Sequence, residues 1–341
     1  MRRARRAALI TALAAVTLGP AAPGRAKPLR FHDLVGWSAD DQAAALAAFR
    51  KSCPQMERPA WREACDAASQ AGDARAFFER YFRLERVGTG RRTLFTGYYE
   101  PEIAASPVRT ARFAYPIYAK PPELVPGHRW YSRKAIESRG LLKGRGLELA
   151  WLADPVEVFF LQIQGSGRLL LPDGTVMRVG FAAKNGQPYR SVGREMARRG
   201  LLPASAVSAQ SIAHWVRAHP EEGQALLWSN PSFVFFHRLH LPANLGPYGA
   251  MHVPVTAGRS LAVDPRYVPL GAPVWVSIGG AHPMHRLMVA QDAGTAIKGP
   301  WRADVFIGSG PKAGRIAGRM RDPGRMYVLK PIEVTMAEAR E

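Results

Sequence analysis

The stretch QDAGTAIKGPWRAD, residues 291–304, sets two aspartates, Asp292 and Asp304, at the ends of a glycine-rich turn that carries Lys298. Glycines, a lysine and acids at this spacing offer three chemistries: a phosphate cradle, a metal site, or a carboxyl held for proton transfer. A phosphate loop requires GxxxxGK followed by a hydroxyl residue. GTAIKGPW has its lysine before the second glycine and no hydroxyl after it. Zinc would need His or Cys at close helical or knuckle spacing, and His237, His240, His252, His282 and His285 stand in strand or loop contexts without an HExxH register. Asp264, Asp292 and Asp304 lack EF-hand spacing for calcium. Neither a metal nor a cofactor is expected.

Acid chemistry fits better. Asp304 opens the apolar segment DVFIG, where Val305 and Phe306 would strip water from its carboxyl. Desolvation raises a carboxyl pKa and keeps it protonated near neutral pH, which is what a general acid for glycosidic cleavage requires. From spacing alone Asp304 serves equally well as a turn cap or as a partner of Arg302, and Asp264 in AVDPRYVPLG reads as an ordinary strand-to-turn aspartate. Short polar residues accompany them. LQIQGSGRL supplies Gln162, Gln164, Gly165 and Ser166; AAKNGQPYRSVG supplies Lys184, Asn185, Gln187, Tyr189 and Ser191; FTGYYEPE adds Thr96, Tyr98 and Tyr99. Hydroxyls and amides beside tyrosines suit a sugar groove, although turn chemistry explains Asn185-Gly186 and Gly165-Ser166-Gly167 as well. Tyr98 and Tyr99 on one strand would face opposite ways, so at most one of them lines a groove.

The elements that must position these groups change in character along the chain. Between about 38 and 82, Ser or Asp starts and apolar spacings of three and four predict two or three helices. From Thr93 the pattern becomes short apolar runs broken by Gly and Pro: TLFTGYYEPEI, FAYPIYAKP and VEVFFLQIQGSGRLLLPDGTVMRVGFA, with PDG marking a turn. SVGREMARRG and SAQSIAHWVRAHPEEGQALLWSN read as helical, the second capped by Ser208. Strands then return in FVFFHRL, SLAVDPRYVPLGAPVWVSIGG, HRLMVAQDAG, ADVFIGSG and GRMYVLKP. Many short strands with few helices predict a mainly β chain built of small barrels rather than one parallel sheet.

At 341 residues and 47% apolar composition the chain can bury one large core or two ordinary ones. Four arginines precede an apolar run from Ala7 to Leu18, followed by small residues, which is the pattern of a secretory signal peptide ending near residue 26. The run is shorter than the ~20 residues of a spanning helix, and no cysteine follows it to take a lipid. The expectation is an exported, periplasmic protein of a Gram-negative envelope that is not a lipoprotein. Export makes Cys53 and Cys65, the only two cysteines, a local disulfide, with two free buried thiols as the alternative. It also redirects the net charge of +20. In a cytosolic chain that charge would argue for nucleic acid. Outside the cytoplasm the anions are wall carboxylates and lipid heads, so nucleic acid is not expected and peripheral contact with the wall or outer membrane is.

Taken together, FTGYYEPEI, AYPIYAKPPEL, the segment from YSRKAIESRG through LLLPDG, GFAAKNGQPYRSVGREM, NPSFVFF, GRSLAVDPRYVPLGAPVWV and QDAGTAIKGPWRADVFIGSG resemble the membrane-bound lytic murein transglycosylase A family, in order, from about Thr93 to Pro331. The resemblance implies a double-psi β-barrel of the endoglucanase V and expansin type, interrupted by a second β-rich domain that walls a cleft. The expected organisation is a signal peptide at 1–26, N-terminal helices and the first part of the barrel at 27–109, the insert at 110–242, and the second part of the barrel at 243–341.

It also implies a peptidoglycan exotransglycosylase, a carbon–oxygen lyase that cuts the bond between N-acetylmuramic acid and N-acetylglucosamine and leaves 1,6-anhydromuramoyl ends. Glycan strands are the implied partner. Asp304 falls on the family's catalytic acid, Asp292 and Asp264 on its supporting aspartates, and Thr96, Tyr98, Gln164, Gly165, Ser166, Lys184, Asn185, Tyr189 and Ser191 on the substrate groove. Relatives carry Gly-Gly after the central aspartate. Here Thr295 takes the second position, where a permissive backbone is expected. Two alternatives share the barrel: a two-carboxylate glycoside hydrolase with Asp292 or Asp264 as base, and a non-catalytic, expansin-like wall-binding protein.

Overall fold

A computed structural model describes residues 29–332, so the expected leader at 1–26 lies outside the described residues. Three helices come first: α1 (Gln42–Ser52), α2 (Pro59–Gln70) and α3 (Ala74–Tyr81). Asp41 and Asp73 cap α1 and α3 through their carboxylates, and Pro59 starts α2 at a position where a missing N–H costs nothing. Cys53, just beyond α1, is bonded to Cys65 in α2, with Cα atoms 5.5 Å apart. Closing a loop of this length is worth about 2–3 kcal/mol. Replacing both cysteines by serine is therefore expected to lower stability by that amount, read by urea denaturation, while leaving the barrel's circular-dichroism signature in place.

Phe49, Phe77, Phe78 and Phe82 pack ring against ring where these helices meet the barrel, in one core shared with Trp275 and the strand interiors. Seven strands surround that core: β1 (Phe82–Arg86), β2 (Thr93–Glu100) and, after a long excursion, β9 (Ser260–Val263), β10 (Pro273–Ile278), β11 (Met284–Ala293), β12 (Arg302–Ser309) and β13 (Arg321–Pro331). They run in the order β13-β10-β11-β9-β12-β2, and β2 pairs back to β13, closing six strands into a barrel with β1 added at β13. The pairs β2–β12 and β9–β11 are parallel. The helix α9 (Gly310–Ala317) packs on β2, where Gly97 lets Ala317 approach so closely that an added Cβ would stand 2.8 Å from its Cα.

The excursion forms a second sheet, ordered β4 (Tyr115–Tyr118), β5 (Glu148–Leu152), β3 (Glu102–Ser106), β6 (Ser166–Leu170), β7 (Val176–Lys184), β8 (Val234–Leu239), over its own apolar core. Because β2 ends at Glu100 and β3 begins at Glu102, the chain changes sheets at Pro101, ahead of the expected 110. Five helices belong to this part: α4 (Arg133–Ser138), α5 (Pro155–Gln164), α6 (Val192–Arg198), α7 (Ala209–Ala218) and α8 (Pro220–Leu227). The last four form a separate small core around Phe159, Met196 and Leu226.

Two sequence expectations need correction. VEVFFLQIQ, read as strand, is the helix α5, started by the Asp154 cap and Pro155 and stopped by Gly165 at φ +78°. The long helix expected after Ser208 is two, because Pro220 cannot donate to the turn before it and starts α8 afresh.

Candidate active site

Strand alternation sets the site. Ala303 and Val305 of β12 and Phe95 of β2 turn into the barrel core, so Arg302, Asp304 and Thr96 face the other way. Register then aligns side chains from five strands. Asp292 on β11 stands opposite Ala262 on β9, Ala262 opposite Asp304, Asp304 opposite Thr96 on β2, and Thr96 opposite Arg321 on β13. A register shift between Ala290 and Asp292 brings Asp292 into this row.

Asp304 is the centre of the row. Its Oδ1 accepts a hydrogen bond from the Thr96 hydroxyl at 2.8 Å, and the same hydroxyl accepts from Arg302 Nη2 at 3.3 Å. Asp304 keeps some surface open, yet surrounding protein desolvates the carboxyl enough to raise its pKa to about 6, against the lowering influences of Thr96 and Arg302 and with a smaller upward push from Asp292.

The other two aspartates are committed differently. Asp292 Oδ1 accepts from the backbone N–H of Ala250 at 2.9 Å and of Ala293 at 2.8 Å, while burial raises its pKa. Asp264, 2% exposed, accepts from Arg266 Nη2 at 2.6 Å and from the N–H of Gly299 at 2.8 Å. Those donors hold it well below the usual carboxylate range. It is a fixed anion bracing the turn that leads into β12. Thr295 in that turn is exposed and has no positive φ, so the turn does not need a second glycine there. Among the described residues His252 alone adopts positive φ without being glycine.

Tyr98, two residues beyond Thr96 and therefore on the same face, lays its ring 5.2 Å from that of Phe306. Its buried hydroxyl lies within electrostatic reach of Asp292 and Asp304 and is raised well above the ordinary tyrosine value, first by burial. No hydrogen-bond geometry is formed to it among the described residues.

The insert's expected groove residues divide. Tyr189 comes within electrostatic reach of Arg302, and Ser191, beside it, caps α6 by accepting from the N–H of Arg194 at 3.2 Å. Gln164 accepts from the N–H of Tyr99 at 3.1 Å, tying α5 to β2, and Gly165 ends that helix. Ser166 is buried at the start of β6, and Lys184 is half-buried at the end of β7. Asn185 does not face the groove. It is fully buried, donates to the carbonyls of Tyr131 and Pro231, and accepts from the N–H groups of Phe233 and Gln187, so no capacity is left for a sugar.

Sequence reasoning missed Glu100, which joins the two parts of the molecule. It is fully buried at the end of β2 and accepts from Arg168 Nε at 2.8 Å, Arg178 Nη2 at 2.7 Å and the Ser309 hydroxyl at 2.8 Å. The same arginines donate to the carbonyls of Pro242 and Ala243 on the returning chain. Both crossings between barrel and insert are thus tied to one carboxylate.

A closed six-stranded barrel interrupted by a β-rich domain, with aspartates on β11 and β12 and one just past the end of β9, defines a double-psi β-barrel protein with an insert. Residues 94–237 match the family model described as the MltA specific insert domain, and residues 259–330 match the 3D domain. The chain is 34% identical to the membrane-bound lytic murein transglycosylase A of Escherichia coli K12 over 86% of its own length and 82% of that protein's. It belongs to the membrane-bound lytic murein transglycosylase A family. The crystal structure of a membrane-bound lytic murein transglycosylase from Agrobacterium tumefaciens superimposes with a TM-score of 0.80 at 33% identity, covering 89% of this chain and 97% of that one. E. coli MltA with bound chitohexaose does so with a TM-score of 0.72 at 32% identity, covering 87% and 90%.

Proposed function

We propose that this protein is a lytic transglycosylase that cleaves the glycan strands of peptidoglycan between N-acetylmuramic acid and N-acetylglucosamine, with Asp304 as acid and then base. The observation that carries the reading is a single carboxyl poised between its two forms. Burial favours the protonated acid, and Thr96 and Arg302 stand ready to hold the carboxylate. Protonation of the glycosidic oxygen lets the C1–O bond break with positive charge developing at the muramoyl C1. Asp304, now negative, takes the proton of the muramoyl C6 hydroxyl as that oxygen closes on C1. The product is a 1,6-anhydromuramoyl end, and the carboxyl regains its proton. An intramolecular hydroxyl has a large effective concentration, so no second carboxylate is needed to activate water.

The names of the relatives and the glycan bound to the E. coli structure support this reading over a hydrolase or a non-catalytic binder. So does the commitment of Asp264 to Arg266 and of Asp292 to two backbone amides, which leaves neither placed as a free base. The relatives are named membrane-bound, which supports an envelope location, and among the described residues no helix is long and apolar enough to cross a membrane. We place the protein in the periplasm, touching wall or membrane peripherally through its basic surface. Incubation with murein followed by mass spectrometry is expected to give fragments lighter by one water than hydrolysis products. Reducing ends would mean a hydrolase, and intact murein a binder.

A further inference from the structure

Two arginines share the face of Asp304, and a third reaches toward them from the insert. Arg321 shares the cross-strand row of Thr96 and Asp304, and Arg302, two residues before Asp304 on β12, lies on the same face. Arg194 comes from the insert, in the first turn of α6; burial first, and then Arg321 and Arg194, push the half-buried Arg302 guanidinium down, against an upward pull from Asp304 and a smaller one from Tyr189. Tyr189 stands among them, within electrostatic reach of Arg194 and Arg302. Among the described residues, no carboxylate comes within 4.0 Å of Arg194, Arg302 or Arg321. Arg302 has only a long contact to Thr96.

Among the described residues arginines elsewhere also stand without an acid, Arg83 and Arg86 of β1 among them; what distinguishes Arg302 and Arg321 is the strand register that sets both on the face of Asp304. Gathering like charges costs free energy unless an anion joins them, and guanidinium groups are suited to carboxylate through paired N–H donors.

We propose that Arg194, Arg302 and Arg321 form a subsite for a carboxylate carried on the muramoyl residue being cleaved. The inference rests on the glycan-cleavage reading above. The muramoyl sugar is the one whose C1 is attacked, and its C3 lactyl group or the peptide attached there brings carboxylate near Asp304. A neutral polymer offers these arginines nothing. The carboxylate has two sources, the free lactyl acid of peptide-free strands and the acids of the peptide stem.

The test compares the wild type with an Arg194→Gln/Arg321→Gln variant on soluble peptide-bearing strands and on strands stripped of peptide by an amidase. Chitohexaose affinity is measured by calorimetry. KM on at least one carboxylate-bearing substrate is expected to rise about tenfold with kcat within about twofold, and its salt dependence to weaken, while the Kd for chitohexaose stays unchanged. A rise confined to peptide-bearing strands assigns the stem carboxylates, and a rise confined to stripped strands assigns the lactyl acid. Arg194→Lys/Arg321→Lys should recover most of the loss.

Unchanged KM on both substrates, or equal weakening of chitohexaose, overturns the subsite. So does an equal effect from Arg83→Gln/Arg86→Gln, which removes the same charge on the edge strand β1. A wild type that yields no anhydromuramoyl product from either strand defeats the underlying activity instead, an outcome read before any variant is made.

Discussion

Replacing Asp304 by asparagine is expected to lower kcat/KM on murein by about 10²–10⁴-fold, the range typical of a general acid, and at the same time to stabilise the fold. The rate effect follows because an amide can neither give nor take the proton. The stability effect follows from linkage. Burial raises the carboxyl from 3.8 to about 6, so the folded chain binds this proton more tightly than the unfolded chain. Stability from the group is therefore complete below about pH 3.8 and is lost as the pH rises through about 6. Above that range the ionised side chain costs on the order of 2–3 kcal/mol.

Asparagine imitates the protonated acid and still accepts from Thr96, so it escapes this cost. Urea denaturation should find the variant more stable at pH 7.5 and indistinguishable from the wild type at pH 3.5. In the wild type, kcat/KM should fall as the pH rises past about 6, since the free enzyme then loses its acid. A variant that keeps wild-type anhydromuropeptide release would remove Asp304 from the mechanism. Equal stability at both pH values would remove the desolvation argument.

That trade between activity and stability was partly legible in the sequence. The apolar residues after Asp304 announce desolvation, and strand alternation at 302–306 tells which side chains share its face. The row Asp292, Ala262, Asp304, Thr96, Arg321 was not legible, because it depends on register between strands some 200 residues apart in the chain. Arg194 was hidden further, since only the folded insert brings α6 toward β12.

Local ambiguity accounts for the errors in the fold. VEVFFLQIQ is a short apolar run rich in β-branched and aromatic residues, and periodicity cannot separate a buried helix from a strand at that length. Its punctuation was the better signal: Asp154-Pro155 opens a helix and Gly165 closes it. The helix α9 was missed for the opposite reason. GPKAGRIA looks like a loop by its glycines, yet Gly314 sits on the face where the Tyr99 ring lies 2.8 Å from the place of an added Cβ, so the glycine serves packing. Asn185 misled because a short amide in a turn looks available. Its bonds to four backbone groups became visible only with the strand it anchors.

Glu100→Ala is expected to cost about 3–5 kcal/mol, the range for removing one partner of a buried ion pair, and to loosen the insert against the barrel before either core melts. Alanine would leave Arg168 and Arg178 with no carboxylate in a site that is nearly dry around Arg178, which is 5% exposed. Their bonds to Pro242 and Ala243 would remain, but the link from those carbonyls back to β2 and to Ser309 would be gone. Glutamine should lose less, because its carbonyl still accepts from one arginine.

The barrel and the insert sheet each keep an apolar core of their own, so the damage should fall first on their mutual placement. Thermal unfolding of the alanine variant should separate into two transitions where the wild type shows one. KM for glycan strands should rise more than kcat falls, since Tyr189 and Arg194 reach the Asp304 face only from the insert side. A single transition at the wild-type temperature would show that the junction is held by apolar contact and that Glu100 is dispensable to it.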